Sequence, residues 1–283
     1  MIKYKGNLVV SLIFIEKYFN NYFCAATSVV GIWIIYFFMT RIIILAAGKG
    51  TRMNSELPKA LVLLKGRPMI KYLLDSIRSA GIDQRPLIVV SPDNKEIISR
   101  ELKEYEVDYA IQDCPLGTGH AVSCAENFLA SETKKVLVLY GDHPFFKAES
   151  IKKFAALDQE TLAMMTVKLS DFSDWRHNFY HWGRIIRDEN GRIIKITEFK
   201  DANETEKEIS EVNPAVMGFN KEWLFENLKK INNDNKSEEY YLTDLVKIAF
   251  DQGAEIGSVS VEPQEAMGVN SREELEIAEG LLK

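Results

Sequence analysis

The chain has 283 residues, a formal net charge of -6 and 46% hydrophobic residues. That is ordinary globular composition, with enough length to bury the core of one large α/β domain. The acidic balance argues against a general nucleic-acid binder, which carries a basic excess. Three cysteines (Cys24, Cys114, Cys124) show no metal-type spacing and read as free thiols in a reducing compartment.

The amino terminus does not match the rest. From Tyr18 to Thr40 no residue is charged, Lys3, Lys5 and Lys17 precede this stretch, and Arg41 follows it. It is long enough to span a bilayer, and leading basic residues suit a signal anchor. Against this, Asn20, Asn21, Thr27 and Ser28 interrupt it, and a strand begins at about Arg41 with no linker between. Met39 offers another account, an upstream over-extension of the reading frame. Residues 1–38 are therefore read either as a hydrophobic anchor or as a mis-called start, with a buried core helix as a third alternative. Residues 39–283 are read as one domain.

From Arg41 strands and helices alternate. "RIIIL" (41–45) is a strand. Residues 69–81 are a helix with Ile70, Leu73, Leu74 and Ile77 on one face and Gly81 as its stop. A strand at 87–91 precedes a helix at 93–105, opened by Asp93 with Glu96 in a capping box. A strand at 108–112, a helix at 118–130 and a strand at 135–140 follow. Strands apolar throughout, in βαβα order, imply a parallel sheet covered on both faces. The second half is more mixed. It has strands at 161–169, 215–219 and 255–261 and a hairpin over 183–199 turning at Glu189-Asn190-Gly191. Its helices are expected at 221–231, 240–252 and 271–282, the last opened by a Ser271/Glu274 capping box. The fold class is α/β, a Rossmann-like doubly wound, mostly parallel sheet with a β-rich second half.

Ligands of such sheets collect outside the carboxyl ends of the strands, so the chemistry is sought in the segments that follow them. After the first strand comes "LAAGKGTRMNSELPKAL". Leu45, Ala46, Ala47 and Gly48 let backbone N–H groups approach phosphate oxygens, while Lys49, Arg52 and Lys59 supply positive charge. Gly48 and Gly50 fit G-x-G, but Met53 stands where a dinucleotide fingerprint has its third glycine, and there is no P-loop spacing. After the third strand, Gln112 carries an amide suited to a nucleobase edge, and Gly117 and Thr118 open a helix whose orphan N–H groups suit a base carbonyl or a phosphate. His120 reads as a helix-start hydrogen-bonding residue. After the fourth strand, Asp142 stands at a frequent Mg²⁺ position beside phosphates, with a helix cap or turn as the alternative. His143 reads as its neighbour. There is no nucleophile elbow and no zinc-type pair. The remaining set of cations, glycines and one acid fits phosphoryl-type transfer.

"LAAGKGTRM", "LPKAL", "PLGTGHAV", "LYGD", "ITEFKDA" and "GVNSREEL", in this order, resemble the sugar-1-phosphate nucleotidylyltransferases, above all the N-acetylglucosamine-1-phosphate uridylyltransferase domains of bifunctional uridylyltransferase/acetyltransferases. The resemblance implies a GT-A-like nucleotidyltransferase fold and a Mg²⁺-dependent reaction of UTP with N-acetylglucosamine 1-phosphate, serving nucleotide-sugar biosynthesis for the cell envelope. It implies catalytic roles for Arg52 and Lys59, and metal ligation by Asp142 and Asn270. Leu45, Ala46, Ala47, Gly48, Lys49, Gln112, Gly117 and Thr118 would hold the nucleotide. Gly183, Glu198, Asn213, Tyr241 and Thr243 would hold the sugar. The partners would be small molecules and no nucleic acid. The location would be cytoplasmic, with membrane contact only if residues 1–38 are an anchor.

Two departures stand out. The family's "NTG" is here Asn213-Pro214-Ala215, which loses an N–H and a glycine on the sugar side. That opens the identity of the sugar. The alternatives to the leading reading are the same chemistry on another hexose 1-phosphate or with dTTP and, in another class, a non-catalytic nucleotide-sugar sensor. The sequence also carries no β-helix repeats, so neither acetyltransferase activity nor a β-helix-built trimer is expected of it.

Overall fold

The structure is a computed structural model that describes residues 39–48, 50, 53, 57–157 and 161–282. The expectations for residues 1–38, Lys49 and Arg52 lie outside these residues. Strand β1 (Thr40–Leu45) is the axis of the sheet. It pairs in parallel with β4 (Leu87–Val90), Ile43 opposite Leu87, and with β6 (Lys135–Tyr140), Thr40 opposite Lys135 through Leu45 opposite Tyr140. Strand β5 (Asp108–Ile111) extends the parallel set on the far side of β4. The alternation of side chains along β1 explains the two layers. Ile42 and Ile44 enter the core on one face and Ile43 the core on the other, all fully buried.

Helix α1 (Met69–Ala80) follows a short hairpin, β2 (Leu63–Leu64) with β3 (Arg67–Pro68). It buries the stripe expected for it, Ile70, Leu73, Leu74 and Ile77, and ends at a left-handed Gly81. Truncating one of these leucines to alanine is expected to cost roughly 2–5 kcal/mol. Helix α2 (Pro92–Glu101) differs from expectation at both ends. Its cap is Ser91, whose hydroxyl accepts from Asn94 N, and Pro92 takes the first position, where its missing N–H costs nothing. It ends at Glu101 and passes into a turn in which Tyr105 N donates to Leu102 O (2.9 Å), while the Tyr105 hydroxyl donates to Asp75 (2.9 Å). Helix α3 (Thr118–Ser123) is likewise short and gives way to a 3₁₀ turn at Glu126–Phe128.

Beyond β6 come α4 (Ala148–Ala155) and β7 (Leu162–Lys168), and the sheet changes character. Strand β11 (Met217–Asn220) inserts antiparallel between β6 and β7, with Met217 opposite both Val138 and Met164. Strand β12 (Gly257–Ser260) lies parallel to β7. The far end of β7 pairs with β10 (Glu211–Val212), which carries the expected hairpin, β8 (Arg184–Arg187) with β9 (Ile193–Thr197). Helices α5 (Glu204–Lys207), α6 (Lys221–Leu228), α7 (Asp244–Asp251), α8 (Pro263–Ala266) and α9 (Arg272–Leu281) complete this half, and α9 has the expected Ser271/Glu274 box. Helix α7 starts at Asp244 and not at 240, because the backbone of Tyr240 and Leu242 is already committed to the residues around Gly117. Among the described residues no helix is long and apolar enough to cross a membrane.

Candidate active site

The parallel register places the ends of β5, β4, β1 and β6 side by side in that order, and each ladder runs one residue further: Ala46 N donates to Val89 O, Gln112 N to Val90 O and Gly141 N to Leu45 O. Over these ends opens a cleft of about 240 Å³. Leu45, Ala46, Ala47, Gly48, Gln112, Gly117 and Thr118 all line it, together with Lys59 and Asp142. The expected nucleotide residues that lie within the described chain are thus brought together. Gly50 has φ +68°, and a Cβ there would lie 2.9 Å from Lys59 Cβ. Gly50 is therefore the bed on which the Lys59 stem lies.

Lys59 begins a 3₁₀ turn, Lys59–Leu61, anchored by buried Ala60 and Leu61. Its ammonium donates to Asp142 Oδ2 and to Asn270 Oδ1. Asp142 lies just past β6, and its carbonyl accepts from Val269 N (3.0 Å), which fixes Asn270 beside it. The backbone N–H of Asn270 donates to Glu274 in the capping box of α9. Only 17% of the Lys59 side chain and 13% of that of Asp142 is exposed. Burial works against the Asp142 carboxylate, but the adjacent Lys59 ammonium outweighs it and holds the group below its ordinary range. His143 stacks flat on Trp182 (5.7 Å between centroids, 3° between planes) and burial lowers its basicity. A Cβ on Gly268 would sit 2.3 Å from its Nε2, so the ring is wedged against the backbone as a packing neighbour.

The residues fit a hard divalent cation. Asp142 Oδ1 is buried with no hydrogen-bond partner among the described residues, and Asn270 adds a neutral oxygen. A positive charge, the Lys59 ammonium, already sits on both side chains. No group of three or more His, Cys, Asp or Glu among the described residues suits a metal. Two oxygen side chains are what Mg²⁺ takes beside phosphates, with water and substrate completing its shell.

The residues expected on the sugar side also converge. Thr243 Oγ1 donates to Glu198 Oε1 (2.9 Å), and a Cβ on Gly183 would approach the Glu198 carboxylate to 3.3 Å. Asn213 N donates to Gly183 O (2.9 Å), while Asn213 Oδ1 accepts from Ala215 N (2.9 Å). Ala215 holds φ +61°, a conformation glycine adopts freely. Burial raises the Glu198 carboxyl, and Asp244 and Asp201 add to it; burial together with Asp201 pushes Asp244 up to about 6. Tyr241 is raised by burial and by the nearby acids Asp201, Glu198 and Glu239.

What sequence reasoning missed is the seam between the two halves of the site. Tyr240 N donates to Leu116 O and Gly119 N to Tyr240 O (both 2.8 Å), and Leu242 N donates to Thr118 Oγ1 (3.0 Å). Gly117 has φ +109°, and a Cβ there would lie 2.7 Å from Tyr240 N and O. Glu239 and Tyr140 also line the cleft. Position gave a signal for Tyr140, the last residue before Gly141-Asp142, and adjacency to "YYLTD" gave one for Glu239.

Residues 42–235 match the model of the MobA-like NTP transferase domain. The bifunctional protein GlmU of Caldicellulosiruptor saccharolyticus is 42% identical over 242 residues, covering 85% of this chain and 51% of that protein. The protein of the same name from Clostridium novyi is 38% identical over 241 residues, covering 85% of this chain and 52% of its own. The chain spans about half the length of the curated relatives it matches. With the family match running through the cleft-lining ends of β1, β5 and β6, the chain belongs to the MobA-like NTP transferase family, an enzyme of nucleotidyl transfer.

Proposed function

We propose that this chain transfers the uridylyl group of UTP to N-acetylglucosamine 1-phosphate, giving UDP-N-acetylglucosamine and pyrophosphate, with Mg²⁺ as the metal. The observation that carries the reading is the meeting of Lys59, Asp142 and Asn270 at a cleft lined by the glycine loop and the Gln112–Thr118 segment. The ordered motifs that resemble the uridylyltransferases supply the substrate pair.

The acceptor is already an anion, so no general base is required. A phosphate oxygen of the sugar phosphate forms a bond to the α-phosphorus as the bond from that phosphorus to the α,β-bridging oxygen breaks, and pyrophosphate leaves with the electron pair. The obstacle is repulsion between anions. Lys59, with Arg52 and Lys49, would neutralise the phosphates. Asp142 and Asn270 would hold Mg²⁺, which when bound supplies further positive charge at the phosphate oxygens. Gln112, Gly117 and Thr118 would receive the base, and Gly183, Glu198, Asn213, Tyr241 and Thr243 the sugar.

One observation favours a second reading for the sugar. Pro214 has no N–H to offer, and Asn213 uses its side-chain oxygen on its own turn. The same chemistry on another hexose 1-phosphate, or with dTTP, is the alternative. Pyrophosphate release across a panel of nucleoside triphosphates and sugar 1-phosphates separates the two. The expected best pair is UTP with N-acetylglucosamine 1-phosphate. No turnover with any pair would leave a nucleotide-sugar sensor in its place.

A further inference from the structure

The amide of Gln112 is fixed from behind. Its Nε2 lies 3.1 Å from the carbonyl oxygen of Gly117 and 3.1 Å from His120 Nδ1. A carbonyl oxygen only accepts, so the half of the amide facing it is the NH₂ group. The second N–H then meets Nδ1, which must carry a lone pair, and this places the imidazole proton on Nε2. The neighbour of Nε2, at 3.9 Å, is the Cys124 sulfur, one helical turn further along. Burial pushes that thiol up, so it stands there as a neutral, weakly accepting group. Both donors of Gln112 are thus used inside the protein. Its Oε1 makes no hydrogen bond among the described residues, and Gln112 lines the cleft.

We infer that His120 is a positioning residue for base selection: together with the Gly117 carbonyl it makes Gln112 present an acceptor, and only an acceptor, to the nucleobase. The inference rests on the uridylyl-transfer reading above. A base with a ring N–H at the meeting point, uracil or thymine, is then satisfied. Cytosine brings a bare ring nitrogen to the same point, and two acceptors face each other across it. Without the His120 lone pair, one of the two contacts that hold the NH₂ inward is lost, only the Gly117 carbonyl opposes a turn of the Gln112 amide, and the penalty against cytosine relaxes. An unpaired polar contact of this kind is where binding sites obtain most of their discrimination.

The test compares kcat/KM for UTP and CTP in the full chain, with one sugar phosphate. The ratio cancels the fraction of active enzyme, so a variant that is merely less stable does not move it. His120→Ala is expected to lower the UTP/CTP ratio roughly tenfold or more. His120→Asn keeps an acceptor on the atom attached to Cγ, where Nδ1 stood, and is expected to hold the ratio near that of the parent. His120→Gln carries its polar group one bond further out and is expected to behave like His120→Ala. If His120→Ala fails to fold, the Asn and Gln variants decide between themselves. Equal ratios in those two variants, or an unchanged ratio in His120→Ala, would overturn the inference. A parent chain with no turnover on any triphosphate would instead sink the uridylyl-transfer reading.

Discussion

The two ends of the candidate site, proposed here to take the phosphates and the sugar, handle charge in opposite ways. At the phosphate end, Asp142 is neutralised on contact by Lys59, and its carboxyl lies below the ordinary range. At the sugar end, Glu198 and Asp244 are raised, by burial first and by neighbouring acids next, and the close partner of Glu198 is the neutral hydroxyl of Thr243. A few residues away the inverse case stands. Arg184 is fully buried, and its guanidinium is satisfied by the carbonyl oxygens of Tyr180, Trp182 and Lys207 and by the faces of Phe172 and Phe199. The phosphate end is thus built from matched charges that a polyanion can exchange for its own. The sugar end is built from single charges held by dipoles and rings, which suits a ligand of hydroxyl groups.

Removing the matched acid tests the first half of this contrast most severely. Asp142→Ala is expected to lower turnover by about 10³-fold, the scale of losing a principal electrostatic contact in the transition state, with some nucleotide binding retained. Pyrophosphate release and nucleotide titration check it together. Arg184→Met probes the other half. It leaves three carbonyl oxygens without their donor and is expected to cost about 3 kcal/mol by denaturant unfolding. The KM for the sugar phosphate is expected to rise more than that for the triphosphate, since Trp182 and Gly183 lose their anchor. Equal rises would erase the distinction between the two ends.

The raised acid sets the pH dependence. Asp244 has a folded value of about 6, above the ordinary 3.8, so the folded chain holds its proton more tightly than the unfolded chain does. The stability this confers is complete below about pH 4, falls as pH rises through 6, and is constant above that. Asp244→Asn is expected to flatten this decline and to gain about 1 kcal/mol at pH 7.5 after screening. Unfolding free energies measured from pH 4 to 8 give the slope and the plateau above it. The smallest effect belongs to Ala215, where glycine relieves the left-handed strain at some cost in chain entropy. Ala215→Gly is expected to stabilise by roughly 0.5–1 kcal/mol, seen as a small rise in melting temperature.

The phosphate end was legible in the sequence because it is local. A buried strand followed by small residues, or by Gly-Asp, announces its own carboxyl end, and Ala46, Gly48, Gln112 and Asp142 were read that way. The hairpin of β8 and β9 and the box that opens α9 were also legible, since turn and cap chemistry lie within a few residues. The seam at Tyr240 was not, because no periodicity reports that its backbone pairs with Leu116 and Gly119. That long-range pairing is also why a helix expected from 240 begins at Asp244. Nor did propensity locate the cap of α2 at Ser91, since Asp93 and Glu96 present the same local signal two residues later.

The seat of Lys59 on both Asp142 and Asn270 separates two events that many metalloproteins fuse. Here the chain settles its own electrostatics at the site from its own sequence, so a divalent ion would arrive as a guest of the reaction and not as a rivet of the scaffold. Chelation is then expected to silence turnover while leaving the melting temperature where it was.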